Sequence, residues 1–236
     1  MDLYRIALGF HLIAGTLALI SFWSAGLARK GSAFHKAVGK AYLLAMLVVI
    51  VSGVPLVFGL LARGQSVGAI FLSYLLVLVS TGCWSAWRAV RDRRNRRAYF
   101  GLGFWVLTGL SALSGLGVAA FGLQIGSLLL QVFGSIGPIA GIAALVSWRR
   151  SASDPKWWLK EHYGAMIGNG VATHIAFLGI GLRNLLPGID SQLLQSFAWF
   201  GPLIGAVIAA VWLGRRYGRS PQTTKTKRSA TAAQTA

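Results

Sequence analysis

Long apolar runs dominate this chain and limit what it can fold into. Seven stretches each supply about 20 residues with few charges, the length that an α-helix needs to cross the hydrocarbon core of a bilayer. In that core each backbone polar group must be satisfied within its own segment, which favours helices. The sequence therefore predicts an all-α integral membrane protein, a bundle of seven transmembrane helices within residues 1–217, followed by a disordered basic cytoplasmic tail over 218–236. The predicted spans are 3–27, 41–61, 67–87, 100–123, 128–148, 163–182 and 193–213.

The amino-acid composition agrees with a membrane environment. Hydrophobic residues make up 55% of the 236 residues and charged residues 12%, whereas a soluble domain is about 25% charged. The first apolar run follows Met1 and Asp2 without a basic segment and continues to Leu27. It is too long for the core of a signal peptide, so we interpret it as a transmembrane span.

The basic residues predict the orientation of the bundle. With the N-terminus outside, 20 of the 23 Lys and Arg residues fall in four cytoplasmic segments, and only Arg5, Arg63 and Arg183 lie outside. Cytoplasmic loops of membrane proteins carry such an excess. The sequence thus predicts an external N-terminus and a cytoplasmic C-terminus in the cytoplasmic (inner) membrane. The net charge of +18 is spread over these segments, so we take the lipid bilayer rather than nucleic acid as the partner.

The four histidines are the candidate site residues. His11 and His174 each lie eight residues from the predicted outer end of their span, a depth of about 12 Å. His35 and His162 lie at the predicted inner boundary, which makes two levels about 18 Å apart. A b-type haem takes two axial imidazoles from facing helices. The four residues are therefore predicted ligands of haem b iron, His11 with His174 and His35 with His162.

Local patterns around the histidines fit this hypothesis. A glycine one helical turn from a histidine leaves space for a porphyrin face. Ser32 is predicted to cap the helix whose first turn holds His35, and the positive helix end keeps that imidazole neutral. Asp154 and Pro155 predict a helix start before His162. The pairs of histidine and glycine are His11 with Gly15, His35 with Gly39, and His174 with Gly170.

The spacing of two histidines on one span argues against the simplest di-haem arrangement. Twelve residues separate His162 from His174, and on an ideal helix this places them about 120° apart. Two haems on one helix would require either a helical bulge at Gly168–Gly170 or different neighbouring helices for the two histidines.

Several of these residues resemble a known family. The pattern His11-x3-Gly15, Lys30-Gly31, His35-x3-Gly39, Tyr42 and Met46 resembles an uncharacterised bacterial family of multi-spanning membrane proteins, described as a domain of unknown function. The resemblance covers about the first 50 residues, and His162-x3-Met166 is similar to a second histidine region of that family. The four-histidine layout in turn resembles the di-haem b-type membrane cytochromes. This resemblance implies electron transfer across the membrane, with quinone or a redox protein as partner.

Three other functions fit the sequence. A small-solute or ion transporter would depend on His11, His174 and Asn169, because all five acids lie in loops or at chain ends. A copper site would use histidine with Met46 and Met166. A non-catalytic membrane subunit or assembly partner would require none of these groups. The sequence contains no phosphate-binding loop and no His-Glu-x-x-His motif, and we interpret the lone Cys83 as a packing residue.

Overall fold

The structure, a computed structural model, describes residues 3–181 and 192–217, and within these ranges it is helical with no β-strand. The predicted disordered tail over 218–236 and the predicted external Arg183 lie outside the described residues. The helices are α1 Leu3–Leu27, α2 Ala33–Ala62, α3 Ser66–Arg91, the short α4 Arg96–Tyr99, α5 Leu102–Gln124, α6 Leu128–Arg150, α7 Trp157–Ile175 and α8 Gln192–Tyr217, with a π-helical segment Ala176–Gly181 after α7.

Six of the described helices, α1, α2, α3, α5, α6 and α8, are long and apolar enough to cross a membrane. The multi-pass membrane character predicted from the apolar runs is therefore supported. The remaining long helix, α7, is the most polar of the predicted spans. It carries Lys160, Glu161 and His162 near its start and buries Asn169.

The helices pack as two hairpins around a central pair. α1 packs against α2, and α5 packs against α6, while α3 contacts α2, α5 and α7. α7 also contacts α1 and α8. The turn between α2 and α3 contains Gly64 at φ 72°, and the turn between α5 and α6 contains Gly126 at φ 67°. Only glycine adopts this left-handed conformation without strain, so both reversals depend on it.

Small residues let α5 and α6 approach closely. A Cβ atom added to Gly137 would lie 2.0 Å from the Ser111 carbonyl oxygen, and one added to Gly134 would lie 2.5 Å from the Ala119 nitrogen. Tyr74 of α3 closes this contact, because its hydroxyl donates to the Phe133 carbonyl at 3.0 Å. Close approach at small residues is a common way for helices to associate in lipid.

The loops 28–32, 92–95 and 151–156 lie at one end of the bundle, here called the basic end. Tyr99 anchors α7 there, since its hydroxyl donates to Glu161 Oε2 at 2.7 Å. Burial and the negative charge of Glu161 raise the pKa of Tyr99, so its proton is retained at any physiological pH. Arg96 crosses from α4 to the end of α6, where its Nε donates to Ser151 Oγ at 2.6 Å.

The start of α7 differs from the prediction. The Asp154-Pro155 pattern predicts a cap followed by a first helical proline, but α7 begins at Trp157. The Asp154 carboxylate instead accepts from the backbone N–H of Lys156 at 2.9 Å. This local turn satisfies Asp154 before the helix begins. A bulge at Gly168–Gly170 is also not found, because α7 is α-helical from Trp157 to Ile175 and the π-helical segment follows it.

Candidate haem or metal site

His35 is held in the first turn of α2 by two backbone contacts. Its own N–H donates to the Oγ of Ser32 at 3.1 Å, which confirms the predicted cap. Its Nδ1 lies 3.0 Å from the carbonyl oxygen of Ala25, near the end of α1. A carbonyl only accepts, so Nδ1 must carry the proton and Nε2 must carry the lone pair. Nε2 has no hydrogen bond to the described residues and is available to a ligand.

His162 repeats this arrangement on α7. Its Nδ1 lies 3.0 Å from the carbonyl oxygen of Ala86 on α3. The same reasoning makes Nδ1 the donor and leaves a lone pair on Nε2, which again lacks a partner among the described residues. Histidines that bind metals usually donate their second N–H to a carbonyl or carboxylate, which fixes the tautomer and the ring orientation. The Nδ1–H bonds of His35 and His162 fix the tautomer and the orientation of both rings in this way.

The two imidazoles both lie at the basic end of the bundle. His35 and Lys30 lie close enough to His162 for a positive charge on either residue to act on its ring. Lys30 is held in place because its Nζ donates to the Ala25 carbonyl at 3.0 Å, the same oxygen that receives the His35 proton. A nearby ammonium disfavours protonation of an imidazole. Burial and these charges therefore favour a neutral His162 ring, the form that binds a metal.

Space is available beside His35. Gly39 lies one helical turn farther along α2, and a Cβ atom added there would meet no atom within 4 Å. The predicted room for a flat group next to a histidine is thus present at this position.

His174 is fully hydrogen-bonded in another part of the bundle. Its Nδ1 donates to the Gly170 carbonyl at 2.7 Å, and its Nε2 accepts from the indole N–H of Trp23 at 2.9 Å. Both nitrogens of this half-buried ring are occupied, which is an ordinary structural role for a histidine. The space at Gly170 is also filled, because an added Cβ would lie 2.4 Å from the Phe22 ring.

His11 lies at a different level from His174. Its Nδ1 is 3.0 Å from Ser52 Oγ on α2, and Ser52 donates its own proton to the Val48 carbonyl at 2.6 Å. Trp23, the partner of His174, lies twelve residues beyond His11 on α1. That interval corresponds to about 18 Å along a helix. The structure does not bring His11 and His174 together.

The rotation of α7 explains this outcome. His162 faces α3 and His174 faces α1, as their bonds to Ala86 and Trp23 show. The predicted angle of about 120° between them on one helix is consistent with these different neighbours. The equal depth predicted for His11 and His174 came from counting residues inward from the ends of apolar runs. Such a count ignores the shift of α7 along α1.

The two internal methionines pack in an apolar cluster rather than against a histidine. Met46 is buried beside Tyr42, and both Met166 and Cys83 pack against the same apolar cluster of α1, α2, α3 and α7. The copper site predicted from histidine and methionine is thus not assembled around a histidine. Among the described residues no three His, Cys, Asp or Glu side chains are grouped to hold a metal ion.

Sequence reasoning did not identify the groups that orient the two basic-end histidines. These are the carbonyls of Ala25 and Ala86 together with Lys30. The Lys30-Gly31 pair, singled out only for its resemblance to a family, was the one available signal for Lys30. Backbone carbonyls carry no signal in a sequence.

No family model matches this chain, and comparisons with curated proteins and with solved structures give no significant match.

Proposed function

We propose that this chain is a b-type haem protein of the membrane that transfers electrons, with the haem iron held by His35 and His162. The observation that carries the proposal is that both rings have the same tautomer. Each donates its Nδ1–H to a backbone carbonyl, and Nε2 has no partner among the described residues. Two such imidazoles from facing helices near one another are what a bis-histidine haem requires. A bis-histidine haem, when bound, accepts and returns one electron.

The residues around this pair have defined tasks. The carbonyls of Ala25 and Ala86 hold the rings in orientation and make Nε2 more basic. Ser32 fixes the backbone of His35 at the start of α2. Lys30 disfavours protonation of the His162 ring and supplies a cation for an anionic edge of the ligand. Gly39 leaves its side of α2 open.

The proposal includes the finer topology predicted from the sequence. In it, α7 with the following π-helical segment is the sixth of seven spans, the N-terminus is outside and the basic end faces the cytoplasm. Quinone dissolved in the bilayer or a soluble redox protein is the proposed electron partner. The site is limited to His35 and His162, because both ring nitrogens of His174 are occupied and His11 lies at another level.

An absorption spectrum of the detergent-purified protein, recorded oxidised and after dithionite, tests this function. The protein should be made in cells supplied with ample haem precursor. We expect a Soret band that sharpens on reduction, a new α band, and one haem per chain by pyridine haemochrome assay. A featureless visible spectrum would refute the haem assignment.

Four single variants locate the ligands. His35→Ala and His162→Ala should each lose the haem bands, whereas His11→Ala and His174→Ala should retain them at full stoichiometry. Helical circular dichroism and a single peak in size-exclusion chromatography establish that each variant is folded. Retention of the spectrum in His35→Ala and His162→Ala, or its loss in His11→Ala, would contradict the proposed pair.

A further inference from the structure

Exposed arginines cover one corner of the basic end, where the turn between α3 and α4 lies beside the end of α6. Arg96 of α4 joins these two segments, because its Nε donates to Ser151 Oγ at 2.6 Å and its Nη2 donates to the Trp148 carbonyl. Six further arginines belong to the same segments, and all six are exposed. We call this set the arginine corner; it consists of Arg91, Arg93, Arg94, Arg97, Arg149 and Arg150.

The carboxylates nearest in sequence to the arginine corner are engaged by other groups. Asp92 is paired with Arg88, which lies one turn before it at the end of α3. Asp154 lies 2.7 Å from Lys160 Nζ, and Glu161 accepts from two hydroxyl groups. Within the described chain, no hydrogen bond or ion pair engages a guanidinium of the arginine corner. Its six positive charges are therefore available to an anion from outside the described residues.

An apolar and aromatic border lies next to the arginine corner. The Arg91 guanidinium lies over the Trp87 ring at 4.9 Å, and the Arg96 guanidinium is 5.9 Å from the centre of the Trp148 ring. The two tryptophans are 43% and 41% exposed, and Leu102 at the start of α5 is 82% exposed. Tryptophan is enriched where the headgroups of a bilayer meet its acyl chains. This border therefore positions the arginine corner at the level of lipid phosphates.

We propose that the arginine corner binds the headgroup of an anionic phospholipid, whose acyl chains lie along the exposed apolar faces of α3 and α6. Arginine donates to phosphate oxygens with two parallel N–H groups, which makes it well suited to a phosphodiester. A phospholipid supplies the missing anion and also covers the apolar border, whereas a soluble anion would do only the first. The contact with the Trp87 ring restricts Arg91 before the lipid arrives, which lowers the entropy lost on binding.

Native mass spectrometry of the full chain tests this site. The protein is released from nanodiscs that contain equal amounts of phosphatidylglycerol and phosphatidylcholine. We expect phosphatidylglycerol to be retained in preference to phosphatidylcholine. The triple variant Arg93→Gln, Arg94→Gln, Arg97→Gln should reduce this retention at least about tenfold, because each basic residue near a membrane surface contributes about fivefold to the attraction of anionic lipid.

A second triple variant removes the same charge from another part of the basic end. Arg29→Gln, Lys36→Gln, Lys40→Gln changes three exposed cations in the α1–α2 loop and the first two turns of α2. This control should retain phosphatidylglycerol as the wild type does. Equal losses in the two triple variants would overturn the proposal, because retention would then follow net charge alone. Helical circular dichroism and size-exclusion chromatography establish that both variants are folded.

Two measurements on the unmodified chain keep the test independent of variant folding. Equal retention of phosphatidylcholine and phosphatidylglycerol would refute an anionic site, as would a bound polyanion in place of lipid in the same spectra. In detergent, phosphatidylglycerol should raise the melting temperature more than inorganic phosphate does. Equal stabilisation by phosphate would assign the arginine corner to a soluble anion instead. Neither measurement requires haem, so the result is separate from success or failure of the haem assignment.

Discussion

The role of each histidine depends on the hydrogen bonds of its ring as well as on the residue type. His35 and His174 are both helical histidines with Nδ1 donating to a carbonyl. They differ in Nε2, which is free in His35 and accepts the Trp23 indole N–H in His174. One hydrogen bond therefore separates a candidate ligand from a structural histidine.

The cap at Ser32 offers a test at this scale. Ser32→Ala removes the acceptor of the His35 N–H and should lower stability by about 1 kcal/mol, the usual cost of a lost N-cap. We expect a lower melting temperature in detergent and, if the haem assignment holds, weaker haem retention. Ser24→Ala is the control, because Ser24 only bonds the Ile20 carbonyl within α1. An unchanged melting temperature in Ser32→Ala would argue against a structural role for the cap.

Pairs of helices are held by different means in different parts of the molecule. α5 and α6 meet through backbone atoms at Gly134 and Gly137, since added Cβ atoms there would collide with the facing helix. α2 and α7 instead meet through the contact between Tyr42 and Thr173. Contacts at glycines depend on close van der Waals packing. In lipid, such packing is a main source of helix association.

Gly137→Ala tests the close contact between α5 and α6. Its Cβ would lie 2.0 Å from the Ser111 carbonyl, so the helices must separate, at a cost of about 1–3 kcal/mol. The expected result is a reduced melting temperature and a lower yield of monodisperse protein. Gly109→Ala on α5 is the matched control, as its Cβ would meet nothing within 4 Å. Equal behaviour of the two variants would disprove tight packing at Gly137.

At the scale of the whole molecule, the number of spans determines whether the two chain ends lie on the same side of the membrane or on opposite sides. Six described helices are long and apolar enough to cross a membrane, and the more polar α7 decides between an even and an odd count. The proposed seven spans would place the N-terminus and the C-terminus on opposite sides, and the basic loops predict a cytoplasmic C-terminus.

Single-cysteine labelling in intact cells measures this topology. In a Cys83→Ser background, cysteines introduced at Ser153 and at Gln65 lie in loops at opposite ends of the bundle. A membrane-impermeant maleimide should label the Gln65→Cys chain in intact cells and the Ser153→Cys chain only after the membrane is opened. A C-terminal green fluorescent protein fusion should fluoresce. Labelling of Ser153→Cys in intact cells would contradict the predicted orientation.

The sequence by itself determined that the chain is helical and multi-pass, because bilayer thickness fixes the length of an apolar helix and leaves the backbone no other way to satisfy its polar groups. It also predicted the Ser32 cap, since a cap depends only on neighbours within the first turn of one helix. The tertiary structure alone decided which histidines lie near one another. That choice depends on how far each helix is shifted and rotated against the next, which brings His35 near His162 and places His174 beside Trp23. The same shifts gathered Met46, Cys83 and Met166, which lie far apart in the sequence, into one cluster.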